Sequence, residues 1–272
     1  VYSCKARGKF RLDGTSPLVG DRVSLEEAAD GTGFIKTVHE RRNFFIRPAV
    51  ANVDYLVLLA ANVNPVTDPF LVDRVAVIAE HVGAECVICV NKCDLDPGDE
   101  LFDIYTSVGY PVVRTSAVTG EGIDELRALL RGRVSALTGN SGVGKSSLLN
   151  ALCPGCMAQT GEVSVKLGRG KHTTRHVELF DVGEDTYIAD TPGFASFDLT
   201  QMTPIGKSEL QYDFPEFREY IGCCRFDDCA HLREPGCAVL AAVEEGRIRP
   251  ERHASYTRLY DAASQIKAWE QK

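Results

Sequence analysis

The sequence predicts a multi-domain α/β protein with three parts. Residues 1–46 are rich in β-forming residues, glycine and alternating charge. From residue 47 to about 200, nearly continuous apolar runs alternate with helical patterns, which is typical of a parallel sheet covered by helices. Residues 201–272 combine clustered cysteines and aromatic residues with a helical tail from 252 to 269. We therefore expect domains at 1–46, 47–200 and 201–272.

Composition limits the class of protein. The chain has 272 residues, of which 44% are hydrophobic and 25% charged, as in globular domains. No apolar run approaches the ~20 residues of a membrane span, and no signal peptide is visible, so we expect a cytoplasmic monomer without membrane contact. Ten cysteines in such a chain favour metal binding over disulfides. The net charge of −8 argues against a protein that coats nucleic acid, although a local basic face remains compatible with it.

The N-terminal region carries four cations at every second position, namely Lys5, Arg7, Lys9 and Arg11. In a strand, this period places all four side chains on one face. Two hypotheses explain the pattern. One is a small barrel that binds oligonucleotides through a basic face, and the other is a solvated strand face without a ligand.

The central region contains six predicted strands. Helical spacing over residues 70–81 predicts a helix with Leu71 and Val75 on its apolar side and Asp73 on its polar side. Further helices are predicted at 123–130 and from 147. Cys86 and Cys89 are interpreted as small core residues. The predicted strands cover residues 54–60, 86–90, 111–113, 134–137, 177–181 and 186–190.

A phosphate-binding loop lies between the fourth of these strands and the helix that follows it. Gly139, Gly144, Lys145 and Ser146 match the pattern G-x-x-x-x-G-K-[ST]. Glycines allow backbone N–H groups to surround phosphate oxygens, and the helix N-terminus favours negative charge. Lys145 is predicted to reach the β- and γ-phosphates as a catalytic residue, and Ser146 to bind Mg²⁺. The alternative is a chance glycine-rich turn. The predicted nucleotide-binding residues here are Gly139, Asn140, Ser141, Gly142, Val143, Gly144, Lys145, Ser146 and Ser147.

Four residues after the second strand indicate guanine recognition. Asn91, Lys92, Cys93 and Asp94 match N-K-x-D. The carboxylate of Asp94 can accept two hydrogen bonds from the guanine ring N–H and amino group, which adenine does not offer. We expect Asn91 to bind the opposite edge of the base and the stem of Lys92 to lie along its face. The short pattern alone is a weak signal, but together with a phosphate loop it favours GTP.

Two more strand ends complete the predicted nucleotide site. Ser116 and Ala117 belong to a T-S-A loop whose backbone N–H is predicted to bind the guanine carbonyl. Asp190 and Gly193 match D-x-x-G, so Asp190 is predicted to contact Mg²⁺ through water and Gly193 the γ-phosphate. A Thr that binds Mg²⁺ must come from the intervening loop. The candidates are Thr173 and Thr174, and spacing does not choose between them.

The order of these motifs is unusual. GTPases ordinarily run from the phosphate loop to the Thr loop, D-x-x-G and N-K-x-D. Here N-K-x-D and T-S-A precede the phosphate loop. The sequence therefore predicts a circularly permuted domain, which is tolerable because the termini of a domain commonly lie close together at its surface.

A metal site is predicted in the C-terminal region. Three cysteines and one histidine lie within fourteen positions, a set that suits one structural, tetrahedral Zn²⁺. Cys223 is the alternative to its neighbour Cys224, and four unrelated residues in a loop are the alternative to a metal site. The predicted ligands are Cys224, Cys229, His231 and Cys237.

Taken together, these motifs resemble the ribosome-small-subunit-dependent GTPase family (RsgA, also called YjeQ). The resemblance rests on the basic N-terminal barrel, the permuted motif order, G-R-G-K-H-T-T at 168–174 and the cysteine–histidine spacing. It implies an N-terminal OB-type β-barrel, a circularly permuted P-loop GTPase domain and a C-terminal zinc-binding helical module. The first strand of the barrel is expected to be missing from this sequence. The resemblance also implies 16S rRNA contact and late maturation of the small (30S) ribosomal subunit.

The residue that promotes hydrolysis is not the one used by Ras-like enzymes. Their glutamine after D-x-x-G is replaced here by Phe194, which cannot orient water. The resemblance points instead to His172, since a neutral imidazole can orient or deprotonate water near neutral pH. The alternative is an exposed histidine without a role. We expect a GTPase that is stimulated by the small subunit, with a P-loop phosphotransferase as the alternative.

Overall fold

The described part of the N-terminal region contains five short strands. The computed structural model describes residues 2–6, 10, 16–29, 31–46, 49–154, 177–190 and 205–265. The strands of this region are β1 (Ser3–Ala6), β2 (Val23–Glu27), β3 (Thr32–Val38), β4 (Phe44–Phe45) and β5 (Val50–Ala51). β3 lies at the centre of a three-stranded sheet, parallel to β1 and antiparallel to β2, and β4 pairs with β5. The β-forming character expected for this region is confirmed.

The predicted row of cations along one N-terminal strand is wrong. Lys5 lies in β1, whereas Phe10, which stands between Lys9 and Arg11 in the sequence, is helical and buried, so one continuous strand does not run through all four positions. In the described part, β1 pairs with β3 over Ser3–Ala6, and the two-residue alternation of side chains applies to strands and not to a helical residue such as Phe10. The remaining cations, Arg7, Lys9 and Arg11, lie outside the described residues.

The central region forms one six-stranded sheet. Its order is β10-β11-β9-β6-β7-β8, and only β10 runs antiparallel to its neighbour. The strands are β6 (Tyr55–Ala60), β7 (Glu85–Asn91), β8 (Val112–Thr115), β9 (Val134–Gly139), β10 (Glu178–Gly183) and β11 (Thr186–Asp190). The helices of this region are α1 (Pro69–Val82), α2 (Asp99–Val108), α3 (Ile123–Leu130) and α4 (Lys145–Leu152). All six predicted strands are confirmed.

Helices cover both faces of this sheet. Successive residues of β6 point to opposite sides. Leu56 and Leu58 pack in one core with α1 and α2, whereas Val57 and Leu59 pack in a second core with α3 and α4. Burial on both faces explains why the strand is a continuous apolar run rather than an alternating one.

The two cysteines of β7 are core residues, as the sequence predicts. Cys86 and Cys89 are buried, and burial raises the pKa of each thiol to about 12. They therefore stay protonated at neutral pH and are unsuited to bind a metal as thiolates.

The C-terminal region is a small helical module. It contains 3₁₀ turns at Leu210–Asp213 and Pro215–Phe217, followed by α5 (Ala238–Glu244) and α6 (Pro250–Ser264). Phe214, Phe217 and Tyr256 form its aromatic core, with ring centroids 4.8–5.2 Å apart. The predicted helical tail therefore begins two residues earlier than expected, and its last residues lie outside the described part.

This module packs against the side of α1 that the sequence predicts to be polar. Asp73 of α1 is 1% exposed and accepts a hydrogen bond of 2.6 Å from Arg252 of α6, which is itself fully buried. Arg252 also donates to Glu216, and the hydroxyl of Tyr105 donates to Asp73. The polar side predicted at Asp73 is therefore not exposed to solvent, because a distant part of the chain covers it.

Further contacts extend this interface toward the C-terminal end of α1. His81 lies 3.0 Å from a carboxylate oxygen of Asp213, and Arg218 donates to Glu80 at 2.8 Å. Val77 of α1 belongs to the core of the C-terminal module. Among the described residues, no helix is long and apolar enough to cross a membrane.

Candidate nucleotide and metal sites

Five parallel strands bring the predicted nucleotide-binding residues to one edge of the sheet. The register aligns Leu59 of β6 with Gly139 of β9, and Asn91 of β7 with Thr115 of β8. β11 runs parallel to β9 and ends at Asp190. In open α/β sheets, ligands bind in the crevice beyond the carboxyl ends of the strands. Motifs that are far apart in sequence thus share one site.

The backbone of the phosphate loop adopts conformations that require glycine. Gly142 and Gly144 have φ angles of +80° and +105°, which L-residues with side chains rarely adopt. Gly144 also packs against the side-chain amide of Asn91, so a Cβ there would clash with it. α4 begins at Lys145 directly after this turn, and its first N–H groups are available for an anion.

Lys145 lies folded over the phosphate loop. Its ammonium group donates to the carbonyl oxygens of Gly139 at 2.6 Å and Asn140 at 2.9 Å. Burial lowers the pKa of Lys145, and the charge of Asp190 opposes this shift. Asp190 ends β11, which is parallel to β9, the strand that leads into the phosphate loop, so it lies at the sheet edge where D-x-x-G is expected.

Asn91 ties the guanine-recognition loop to the phosphate loop. Its Nδ2 donates to the carbonyl oxygen of Val143 at 2.8 Å, and its Oδ1 accepts from the hydroxyl of Thr115 at 3.0 Å. The side chain is buried, with 2% of the residue exposed. A carboxamide nitrogen carries two hydrogens. One of them is used in the bond to Val143, so the base contact predicted for Asn91 must use the other hydrogen.

Lys92 and Asp94 have different surroundings. Lys92 has a φ angle of +64°, and its Nζ donates to the carbonyl oxygens of Asn64 and, at 2.8 Å, Gly142. Asp94 is exposed, so its carboxylate is open to a ligand. Cys93 lies between them and donates its backbone N–H to Thr115 O at 3.1 Å. This arrangement fits a base reader at Asp94 and a structural role for the lysine ammonium.

The T-S-A loop offers one backbone donor. The N–H of Ser116 donates to Glu121 O, and its hydroxyl accepts from the N–H groups of Val118 and Thr119. Within the described residues, the N–H of Ala117 has no hydrogen-bond partner. Ala117 is therefore the residue of this loop whose backbone can bind a guanine carbonyl.

Several predicted site residues cannot be placed. His172, Thr173, Thr174 and Gly193 lie outside the described residues. Ser146 and Ser147 lie in the first turn of α4, and Ser141 in the loop before it. The described part of the site thus holds the phosphate loop, the base-recognition loops and Asp190.

The four predicted zinc ligands do come together. One ligand atom from each of Cys224, Cys229, His231 and Cys237 lies within 4.8 Å of the other three. The sulfurs of Cys224 and Cys237 are 3.8 Å apart, and Nδ1 of His231 is 3.5 and 3.4 Å from them. A tetrahedral Zn²⁺ with its usual bond lengths requires about 3.8 Å between sulfurs and about 3.6 Å from nitrogen to sulfur. The residues therefore fit zinc.

The cluster contains one of the two adjacent cysteines. Cys224 belongs to the cluster, whereas the thiol of Cys223 is exposed and lies 3.7 Å from Glu219 O. The sulfurs of Cys224 and Cys237 accept backbone N–H groups from Ala238 and Leu240 at 3.3 and 3.5 Å. Such donors stabilise thiolates, as a metal site requires.

Burial sets the protonation preferences of the cluster. It lowers the pKa of His231, which favours the neutral imidazole that binds metals. Burial raises the pKa of Cys229 and Cys237, so thiolates are costly there unless a cation compensates them.

One residue that organises the metal loop was not singled out from the sequence. The carboxylate of Glu234 accepts backbone N–H groups from Ala230, Leu232 and Arg233 at 2.8–3.2 Å. Although burial opposes it, these donors lower the pKa of Glu234. The sequence signal that could have identified Glu234 is its position, as an acidic residue between the predicted ligands His231 and Cys237.

The sheet order, the phosphate loop and the base-recognition loops define a circularly permuted GTPase. Family comparison agrees: the model described as RsgA GTPase matches residues 38–200, and that described as RsgA N-terminal domain matches residues 1–35. The chain belongs to the RsgA GTPase family.

Relatives and solved structures are similar over nearly the whole chain. Small ribosomal subunit biogenesis GTPase RsgA of Caldanaerobacter subterraneus is 43% identical, over 95% of this chain and 88% of that one. The protein of the same name from Geobacillus kaustophilus is 45% identical over 94% and 88%. YjeQ from Thermotoga maritima superposes with a TM-score of 0.82 at 38% identity, over 97% of this chain and 90% of that one. YloQ, described as a circularly permuted GTPase, gives 0.78 at 34%, over 98% and 88%.

Proposed function

We propose that this protein binds the small (30S) ribosomal subunit and couples GTP hydrolysis to late subunit maturation and to its own release. The observation that carries the proposal is the convergence of phosphate loop, Asp94 and T-S-A loop at one sheet edge in a chain of the RsgA GTPase family. The relatives' name, small ribosomal subunit biogenesis GTPase, supports the choice of partner. Family membership favours this function over a P-loop phosphotransferase.

The nucleotide-site residues have separate proposed roles. The N–H groups between Gly139 and Ser147 surround the phosphates, and Lys145 moves from its backbone carbonyls to the β- and γ-phosphates. Asp94 binds the ring N–H and amino group of guanine, and Ala117 N–H its carbonyl. Ser146 and Asp190 would hold Mg²⁺, which would neutralise negative charge on the phosphates.

Hydrolysis is assigned to His172, with Thr173 or Thr174 as the further Mg²⁺ ligand and Gly193 as the γ-phosphate contact. These roles rest on the sequence motifs and on family membership. The replacement of the Ras-like glutamine by Phe194 supports the assignment, since Phe194 has no group that can orient water.

The C-terminal module holds one structural zinc through Cys224, Cys229, His231 and Cys237. A closed Cys₃His set supplies no open position for a substrate, so the chemistry of the ion is structural. A zinc-stabilised loop on a module that packs against α1 is suited to contact RNA at a fixed distance from the nucleotide site.

The wider setting is also proposed. The N-terminal and zinc domains contact 16S rRNA, and domain boundaries lie at 1–46, 47–200 and 201–272. The OB-type barrel and the zinc module thus flank the GTPase domain. We further propose a cytoplasmic monomer.

The deciding experiment is GTP hydrolysis with and without purified small ribosomal subunits. We expect stimulation by small subunits and none by large subunits. The matched control is Lys145→Ala, which removes the phosphate-binding ammonium and should abolish both basal and stimulated turnover. Equal turnover of the wild-type protein with and without small subunits contradicts the proposal.

A further inference from the structure

The 3₁₀ turn Leu210–Asp213 contacts the metal cluster on one side and the GTPase domain on the other. Gln211 Oε1 lies 2.9 Å from Nε2 of His231. Asp213 in the same turn is buried and lies 3.0 Å from Nδ1 of His81, at the end of α1. This short segment therefore joins a predicted metal ligand to the GTPase domain.

The hydrogen bonds of Gln211 determine which nitrogen of His231 carries the proton. Nε2 of Gln211 donates to the carbonyl oxygen of Ser208 at 3.2 Å. A carbonyl oxygen can only accept, so the amide NH₂ must face Ser208 and the amide oxygen must face His231. The oxygen needs a donor, which must be the Nε2–H of the imidazole. A neutral His231 therefore has an unprotonated Nδ1.

That nitrogen is the one that faces the sulfurs. Nδ1 of His231 lies 3.5 Å from the sulfur of Cys224 and 3.4 Å from that of Cys237. The backbone of His231 is also fixed, because its carbonyl oxygen accepts from Nε2 of His253 at 2.7 Å. In the described part of the chain, no other side chain forms a hydrogen bond with Nε2 of His231, so Gln211 sets both the ring orientation and the tautomer.

We propose that Gln211 is a positioning residue for the zinc ligand His231, and that zinc binding in turn fixes the 3₁₀ turn that links the metal loop to α1. The inference rests on the zinc site proposed above. A ligating histidine usually donates its second ring N–H to such an acceptor, and loss of that acceptor costs about 10–100-fold in metal affinity.

Zinc affinity in three variants tests the proposal. Gln211→Ala removes the acceptor, Gln211→Glu keeps an acceptor at the same place, and Gln265→Ala removes an exposed glutamine at the end of α6 as a matched control. Affinity is measured by competition with a chromogenic chelator on the full chain. We expect about a 10–100-fold weaker site in Gln211→Ala. Gln211→Glu should lose less, because it keeps the acceptor for His231 and loses only the donor to Ser208. Gln265→Ala should be close to the wild type. Equal affinity in Gln211→Ala and wild type overturns the proposal.

Nitrogen NMR of the zinc-loaded wild-type protein gives a readout that does not depend on a variant folding. His231 should have zinc on Nδ1 and a slowly exchanging proton on Nε2, and zinc on Nε2 overturns the role of Gln211. Hydrogen exchange should speed up over residues 205–217 when zinc is removed, and unchanged exchange overturns the link to α1. A wild-type chain that binds no zinc contradicts the zinc site itself, so the two failures are distinct.

Discussion

Replacement of Arg252 by methionine should strongly destabilise the protein. The guanidinium is fully buried and makes three hydrogen bonds, to Asp73 at 2.6 Å and to Glu216 at 2.6 and 3.1 Å. Methionine keeps an apolar side chain of similar length, so the substitution removes mainly the positive charge and its hydrogen bonds. Removal of one partner from a buried ion pair costs about 3–5 kcal/mol, because the other charge stays buried without a partner. At about 1.4 kcal/mol per tenfold, this lowers the folding equilibrium constant by roughly a hundred- to several-thousand-fold.

Urea unfolding followed by circular dichroism measures this loss. The matched control is Arg218→Met, since Arg218 forms an ion pair with Glu80 in the same interface but its side chain is 54% exposed. We expect the control to cost about 0–1 kcal/mol. Asp73→Asn added to Arg252→Met should restore part of the stability, because it removes the stranded charge. A loss below about 1 kcal/mol for Arg252→Met would refute the reasoning that this network stabilises the interface.

Four further perturbations have defined outcomes. Asp94→Asn should shift nucleotide preference from GTP to xanthosine triphosphate, measured by competition binding, because a carboxamide can donate to the xanthine carbonyl. Cys229→Ala should lose zinc by elemental analysis while nucleotide binding stays nearly unchanged. His172→Ala should keep GTP affinity within a few-fold and lose stimulated turnover, since its role is on water. The hydrogen bond to Asp213 raises the pKa of His81, so its stabilising contribution is complete below about pH 6.5 and is lost as pH rises through the raised pKa. His81→Gln should flatten this part of the pH profile of thermal stability.

For each of these four predictions, one result would contradict the proposed role. Wild-type GTP affinity in Asp94→Asn removes the base-reading role from that residue. One zinc per chain in Cys229→Ala contradicts the ligand assignment, and full stimulation of His172→Ala by small subunits contradicts its catalytic role. An unchanged pH profile in His81→Gln shows that another group causes the pH dependence.

Local patterns predicted the parallel sheet and most of the site, because the signals are short and lie in one segment. The apolar run before Ala60 is one such signal, and so is the glycine pattern before Lys145. α2 was missed although Leu101, Ile104 and Tyr105 have helical spacing and are buried. Asp-Pro-Gly directly before it is a turn signal and gives no side-chain cap at the start of the helix.

Contacts between distant segments could not be predicted. Asp73 has the sequence context of an exposed helical residue, and only the fold brings Arg252 of α6 against it. The choice of Cys224 over Cys223 depends on backbone geometry, since neighbouring side chains point in different directions. The hydrogen bond between Asn91 and Val143 likewise joins the guanine-recognition loop to the phosphate loop. These loops are close because of the strand order, which local sequence does not reveal.

The strand order has a consequence for the growing chain during synthesis. β6 is an interior strand whose two neighbours are β7 and β9. β7 follows it closely, but β9 is made only after β8 and α3. The edge of β6 that pairs with β9 is thus unpaired while β7 and β8, which carry the base-recognition loops, have already been made. Unpaired edges of this kind promote aggregation, so the nascent chain should be most vulnerable between the synthesis of Ala60 and that of Gly139. In the ordinary motif order, the strand that leads into the phosphate loop is made before the base-recognition strands, whereas here it is made after them.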